Sequence, residues 1–182
     1  MDEVIHDQTF YLMHAAFARD YVKKKLDIGS SDQLPNSYYG WPARMACVSQ
    51  LRDEITKDLA SQKKDVRASG GNPNRAILDT WADWAKTLGC GNCGPQSALA
   101  FTYLRDTYHV FPLDWMVIEA DDHGFVVLGR IGVTDPSNMG SWNSEAVVCD
   151  PWKGRVLRAA DAGYLSRYSP KLLYRMVDAR AA

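Results

Sequence analysis

Two cysteines lie in a glycine-rich stretch whose residue types suit a turn that opens a helix. Residues 89–98 read GCGNCGPQSA, and the good helix formers of residues 98–105 follow at once. Pro95 fits the first helical turn, where a backbone donor is unpaired in any case. Cys93 would then stand at a helix N-terminus, where the helix dipole and unpaired N–H groups favour a thiolate. We interpret Cys93 as a candidate nucleophile.

A cysteine nucleophile needs a general base, and the sequence offers four histidines. His6 and His14 fall in the first predicted helix, and His109 lies in a polar turn without an obvious orienting partner. His123 opens a strongly apolar segment and is followed by Gly124, which leaves room beside the imidazole. We interpret His123 as the candidate base; the alternative is a solvated histidine in a turn.

The third member of such a site is a carboxylate or amide that orients the histidine. Asp150 closes the apolar segment 146–150 and is followed by Pro151 and Trp152. This Asp-Pro-Trp step would hold the carboxylate at the rim of a sheet, within reach of a histidine on the next strand. The alternative is an ordinary Asp-Pro turn. Weaker substitutes for this role are Asp122, Asp135 and Asn143.

Helices dominate the first half of the sequence. Apolar residues recur at three- and four-residue intervals over 4–26, 43–64 and 75–88, which predicts three amphipathic helices. Asn74 is the expected N-cap of the third helix. The polar, glycine-containing residues 63–74 are the best candidate for a hinge.

Strands dominate the second half. Residues 110–120 and 123–133 are rich in β-branched and aromatic residues and are joined at Asp121 and Asp122, which predicts an antiparallel hairpin. Helices followed by an antiparallel sheet make the fold class α+β. Further strands are expected at 146–150, 155–158 and 171–177, with a weak helix at 159–168.

The length of 182 residues is that of one domain. We expect a helical N-terminal portion over 1–72, which would act as a cover or a partner-recognition surface. The catalytic core would then span 73–182. The aromatic residues 38–41, YYGW, lie in the predicted loop 32–42 and would pack on the core or form a wall of the substrate cleft.

Composition argues against several function classes. A formal net charge of −1 gives no electrostatic case for binding nucleic acid or an anionic membrane. No apolar run is long enough to span a bilayer, and the acidic, polar N-terminus does not resemble a signal peptide. We expect a monomer.

Four cysteines are few for a disulfide scaffold, so a reducing compartment is the default and Cys47 is expected to be a buried, inert thiol.

Three segments together resemble the papain-like cysteine hydrolase and transglutaminase superfamily. They are GNCG at 91–94, DHGFVV at 122–127 and VCDPW at 148–152. Within that superfamily the chain looks most like compact bacterial effectors and toxins that act as protein glutamine or asparagine deamidases or as cysteine proteases. The resemblance covers residues 89 to about 152. It implies a papain-like fold, with the cysteine at a helix N-terminus packed on an antiparallel sheet that carries the histidine and the aspartate.

The resemblance also implies a mechanism of acyl transfer without a cofactor or a metal. Cys93 would be the nucleophile, His123 the general base and acid, and Asp150 the orienting carboxylate. The oxyanion would be bound by the Cys93 backbone N–H and one further donor.

The second oxyanion donor is a point where the sequence departs from the family pattern. Papain-like proteases often place a glutamine a few residues before the cysteine, and residues 84–89 contain none. Asn92 and Gln96 are the candidates in its place, although Gln96 could instead line or cap its helix. Trp152 is a candidate for binding substrate.

The expected activity is deamidation of a glutamine or asparagine side chain of a target protein, for example a host signalling protein. Cleavage of a peptide bond is the first alternative, and transglutamination is another. The chain would be secreted without a cleaved signal peptide and act in the cytoplasm of a target cell, with residence in its own cytoplasm as the alternative.

Three readings from other classes stay open. Cys90 and Cys93 have the spacing of zinc ligands, and Cys149 and His123 could complete a tetrahedral site. The same Cys-x-x-Cys pair also fits a thioredoxin-type redox motif. A non-enzymatic binding module is a further alternative.

Overall fold

The computed structural model describes residues 4–31, 40–68 and 72–178, without the side chains of residues 63–68. Most of the predicted aromatic loop, including Tyr38 and Tyr39, lies outside the described residues. The α+β class is confirmed: helices in the first half of the chain pack on an antiparallel sheet of five strands. Among the described helices, none is both long enough and apolar enough to cross a membrane.

Four longer helices form the first half of the described chain. Asp7 caps the first of them by accepting a hydrogen bond from the Phe10 N–H at 2.8 Å. Gly89, with φ of 72°, ends the third helix in the left-handed conformation that glycine adopts without strain. The helices are α1 (Gln8–Lys25), α2 (Trp41–Ala68), α3 (Pro73–Leu88) and α4 (Cys93–Tyr103).

Two predictions about the helices are wrong in detail. The N-cap of α3 is Asn72 rather than Asn74, because Pro73 takes the first helical position and the Asn72 side chain accepts from the Asn74 N–H. The predicted hinge over 63–74 is also too long. Residues 63–68 continue α2, because they contain no proline or glycine that would end a helix.

The sheet has the strand order β4-β3-β2-β1-β5, and every neighbouring pair is antiparallel. The predicted hairpin is confirmed, with Ile118 opposite His123 at its closed end. The second hairpin strand is shorter than expected because Gly129, at φ of 74°, turns the chain out of the sheet. The strands are β1 (Leu113–Ile118), β2 (His123–Leu128), β3 (Val147–Asp150), β4 (Arg155–Arg158) and β5 (Lys171–Met176).

Both faces of the sheet are buried. One face packs on α1 and α4 through alternate residues such as Trp115, Val126 and Cys149. The other face is covered by the segment between β4 and β5, which contains a 3-10 turn and the short helix α5 (Gly163–Ser166). This segment replaces the single helix expected at 159–168, because Ala162 adopts a non-helical conformation between the two turns.

A disulfide between Cys47 and Cys90 joins α2 to the turn before α4. The expectation that Cys47 is an inert free thiol is therefore wrong, and so is the expectation that these cysteines stay reduced. The two residues are 43 positions apart, and packing of Val48 and Leu51 of α2 beside Cys90 brings them together. Periodicity within one helix carries no information about such a pairing.

Removal of this disulfide should lower the stability of the protein. For a loop closed across 43 residues, the chain-entropy model gives a loss of about 4 kcal/mol in the free energy of unfolding. We expect this loss in a Cys47→Ser/Cys90→Ser variant, measured by urea unfolding. Cys93→Ser is the matched control, because Cys93 is free, and it should unfold near the wild-type midpoint. Equal midpoints for the double variant and the control would contradict the pairing.

Candidate active site

The structure brings Cys93, His123 and Asp150 together where the inner strands β2 and β3 begin and end. Cys93 is the first residue of α4, His123 the first residue of β2 and Asp150 the last residue of β3. Because β2 and β3 are antiparallel, the start of one lies beside the end of the other. Alternation along the strands also puts His123 and Asp150 on the same face of the sheet.

A short hydrogen bond joins the buried histidine and aspartate. His123 Nε2 lies 2.7 Å from Asp150 Oδ2, and the two side chains are 3% and 0% exposed. Cys93, at the N-terminus of α4, also acts on His123, and Nδ1 is the ring nitrogen that is not bonded to Asp150. Burial alone lowers the pKa of His123, but the hydrogen bond to Asp150 and the charges of Asp150 and Cys93 raise it to about 9. His123 therefore holds a proton at neutral pH.

The two free cysteines have very different surroundings. Cys93 is half-buried, and its thiol donates to the Asp122 backbone oxygen at 3.0 Å. Cys149 is completely buried, its thiol donates to the Ala15 backbone oxygen, and burial raises the pKa of this thiol well above its usual range. Only Cys93 combines access from solvent with a neighbouring imidazole.

Two glycines allow α4 to pack closely, one against the sheet and the other against α3. A Cβ on Gly124 would lie 2.8 Å from Ser97 Oγ and 3.3 Å from the Gly94 Cα atom. A Cβ on Gly94 would lie 2.2 Å from the Trp81 ring. The thiol and the imidazole can meet because neither glycine has a side chain.

The structure directs the two candidate amides differently. The Asn92 side-chain oxygen accepts from Ser30 Oγ at 2.8 Å and from the Ser31 N–H and Oγ at 3.2 Å. Gln96 is buried, and its Nε2 donates to the Gly91 backbone oxygen at 2.7 Å. The Gln96 amide therefore holds the turn together and is directed to the backbone rather than to the cleft.

The remaining predicted residues divide into near and distant ones. The Trp152 ring lies 5.4 Å from the His123 ring, and its Nε1 donates to Ser30 Oγ at 3.2 Å. Asp135 and Asn143 bind to loop atoms instead: Asp135 accepts from Ser137, and Asn143 from the Ile131 N–H.

Tyr164 is a site residue that sequence reasoning missed. Its hydroxyl donates to Asp150 Oδ2 at 2.7 Å, while the Lys153 N–H donates to Asp150 Oδ1 at 3.0 Å. Tyr164 lies in the short helix α5, where no local pattern connects it with Asp150. Only the aromatic residue within an otherwise weak helical segment was available as a signal.

A cavity of about 400 Å³ opens beside Cys93. α2 forms one wall of it and the β1–β2 hairpin forms another, so the N-terminal helical portion takes part in the site. Its lining is mainly apolar, with Arg52 and Thr56 of α2 as polar members. The apolar lining includes Val48, Leu51, Ile55, Trp81, Trp115 and Val117.

The structure fits neither the metal-site nor the redox interpretation of the Cys-x-x-Cys pair. Cys90 is bonded to Cys47, so its sulfur is not available as a thiolate ligand or as a redox partner of Cys93. Across residues 4–31, 40–68 and 72–178, no three His, Cys, Asp or Glu side chains cluster as a metal site would require.

Comparison with known proteins found no matching protein-family model, no matching curated protein and no matching solved structure. The function of this chain must therefore be inferred from its own residues and their geometry.

Gly124→Ala should separate the thiol from the imidazole. The new Cβ would collide with Ser97 Oγ, which cannot move freely because it accepts from Trp115 Nε1 and donates to the Gly94 oxygen. We expect a loss of roughly 1–3 kcal/mol in the free energy of unfolding. The reaction of Cys93 with iodoacetamide should also slow.

Gly163→Ala is the matched control for this substitution, because a Cβ there would meet no atom within 4 Å. Unfolding in urea and the alkylation rate should both stay at wild-type values in the control. A Gly124→Ala protein that behaves like Gly163→Ala would contradict the close approach of β2 and α4.

Alkylation of the native protein by iodoacetamide at neutral pH should occur at Cys93 alone. Cys149 is buried and the other two cysteines are bonded to each other. His123→Ala should slow the reaction by about tenfold, because the thiol loses the neighbouring imidazole that favours its reactive form. Peptide mapping by mass spectrometry measures both the site and the rate. Modification at Cys149, or an unchanged rate in His123→Ala, would contradict the assigned pairing.

Proposed function

We propose that this chain is a cysteine hydrolase that acts on carboxamide groups by acyl transfer. The observation that carries the proposal is the arrangement around His123, whose Nε2 lies 2.7 Å from Asp150 Oδ2 and whose pKa is raised by Asp150 and the neighbouring Cys93. A nucleophile, a base and a group that orients the base are the parts such a reaction needs.

The first half of the proposed reaction forms a thioester. The Cys93 thiolate attacks the carbonyl carbon of the amide, and a bond between sulfur and carbon forms. The carbon–nitrogen bond then breaks as His123 gives its proton to the departing nitrogen. Ammonia leaves if the substrate is a side-chain amide, and an amine leaves if it is a peptide bond.

The second half hydrolyses the thioester. A water molecule gives a proton to His123, and its oxygen attacks the carbonyl carbon. The carbon–sulfur bond breaks, which frees the acid product and restores the thiolate beside the protonated imidazole. Asp150 holds the ring in place through both halves and stabilises its positive charge.

The oxyanion of each tetrahedral intermediate would be bound at the N-terminus of α4. The Cys93 N–H belongs to the first helical turn, where backbone donors have no partner within the helix. Asn92 is the stronger candidate for the second donor. Its side-chain oxygen accepts hydrogen bonds from Ser30 and Ser31, so the side-chain nitrogen is the atom left to donate. Asn92 also lines the cavity beside Cys93.

We also propose that the fold is papain-like in the sense of the resemblance described above. The order of Cys93, His123 and Asp150 along the chain supports this, as does the position of each at the end of a helix or strand.

Deamidation of a glutamine or asparagine side chain is the reaction we favour. The cavity beside Cys93 is large enough to receive a side chain from a protein surface. The Cys47–Cys90 disulfide supports passage through an oxidising compartment, as expected for an exported protein, and leaves Cys93 free to react. The substrate would be a protein of the target cell.

Mass spectrometry of proteins treated with wild type or with Cys93→Ala tests the proposal. A target-cell lysate is incubated with each enzyme. A mass increase of about 1 Da at glutamine or asparagine marks deamidation, because an amide nitrogen is replaced by oxygen. New peptide termini mark proteolysis. Cys93→Ala should keep the fold and reduce either signal by roughly a thousandfold or more.

Cys149→Ala is a control for loss of a thiol as such, and it should retain the activity as long as it folds. Activity in Cys93→Ala equal to that of wild type would contradict the proposed function. A wild-type enzyme that produces new termini without deamidation would favour the protease alternative.

A further inference from the structure

Asp150 accepts two hydrogen bonds on the same carboxylate oxygen. His123 Nε2 and the Tyr164 hydroxyl both lie 2.7 Å from Oδ2. The other oxygen accepts from the Lys153 N–H at 3.0 Å. Asp150 is completely buried, so these donors from the protein take the place of water around its charge.

Tyr164 is held in a position to act only as a donor. It is half-buried against the apolar residues on the α5 face of the sheet, and the Arg155 guanidinium lies 4.8 Å from the centre of its ring. Burial and the charge of Asp150 raise the pKa of Tyr164 far above its usual range. The phenol therefore stays protonated, and its hydrogen points to Oδ2.

We propose that Tyr164 is a positioning residue that shares the Asp150 carboxylate with His123 and so limits how strongly Asp150 holds the His123 proton. The catalytic meaning of this role rests on the proposed function, whereas the role itself concerns only the three side chains. A hydroxyl that donates to Oδ2 disperses part of the negative charge that would otherwise act on the imidazolium alone.

This sharing matters because His123 must give up its proton during the proposed reaction. An imidazolium stabilised by the full charge of a buried carboxylate is a weak acid, and it would protonate the departing nitrogen poorly. The Tyr164 hydrogen bond works against that excess while it keeps Oδ2 turned toward the ring. No atom of Tyr164 touches the reacting groups.

The other charged or titratable groups near this network include Asp122, Lys153, Arg155, Cys149 and Cys93. Arg155 lies over the Tyr164 ring, and the Cys149 thiol donates to a backbone oxygen of α1. Cys93, at the N-terminus of α4, acts on His123 and contributes to the rise in its pKa. To keep thiol titration from affecting the measurement, the test is made in a Cys93→Ala background.

The test measures the pKa of His123 by NMR of protein labelled with ¹³C-histidine, with the His123 signal assigned from a His123→Gln variant. Tyr164→Phe should raise this pKa by about half a unit, because the carboxylate then acts on the imidazolium alone. Tyr168→Phe is the matched control: it packs against the same apolar cluster, under Arg167 at 4.9 Å, without a hydrogen bond to Asp150. It should leave the pKa unchanged.

A second variant gives the opposite sign and avoids any loss of folding. Incorporation of 3-fluorotyrosine at position 164 makes the phenol a stronger donor, so the pKa of His123 should fall. A role limited to packing would move neither value. An unchanged or lowered pKa in Tyr164→Phe, or an equal shift in Tyr168→Phe, would overturn the proposal.

The titration needs no substrate, which separates the two hypotheses. If lysate proteins are unaltered by the enzyme while Tyr164→Phe still shifts the His123 pKa, the proposed function fails and the role of Tyr164 stands. If Cys93→Ala abolishes deamidation while Tyr164→Phe leaves the pKa unchanged, only the inference about Tyr164 fails.

Discussion

The hydrogen bond between His123 and Asp150 is the interaction on which the site depends. It joins two side chains that are almost fully excluded from water, where a lone charge would be very costly. The carboxylate is tolerated because each of its oxygens has a donor: His123 and Tyr164 on one, and the Lys153 N–H on the other. This bond requires β2 and β3 to be neighbours, and their antiparallel pairing brings the start of β2 beside the end of β3.

Packing around the N-terminus of α4 then decides whether the thiol can use that pair. The helix is held between the sheet and α3, and Gly94 and Gly124 let the backbones approach where any side chain would collide. α2 closes the other side of the cavity and is bonded to the turn through Cys47 and Cys90. The candidate nucleophile is thus fixed by packing on one side and by a covalent bond three residues before it.

The other end of the sheet holds a second buried carboxylate, whose partners are arginines rather than a histidine. Asp114 at the start of β1 accepts from Arg130 at 2.6 Å and from Arg175 at 2.7 Å. Burial raises the pKa of Asp114, and the two arginines oppose that rise. Arginine keeps its charge at every physiological pH, so this cluster only holds strands together, whereas the imidazole beside Asp150 can exchange a proton.

Local patterns in the sequence predicted which residues form the candidate site. A turn rich in glycine before a helix indicates Cys93, an apolar strand opened by a histidine and a glycine indicates His123, and a strand closed by Asp-Pro indicates Asp150. These features depend on hydrogen bonds and periodicity among residues close together along the chain, and the α+β class follows from the same patterns. The helix and strand positions agreed with them, apart from errors at the ends and the helix expected at 159–168, which is two short turns.

Only the tertiary structure decided what surrounds those residues. Four features depend on contacts between residues that are far apart along the chain. They are the bond between Cys47 and Cys90, the direction of the Gln96 amide, the hydrogen bond donated by Tyr164 and the cavity wall formed by α2. The physical reason is that packing between elements selects such partners through shape and burial. The local propensities that predict helices and strands contain no information about the shape or the burial of contacts between elements.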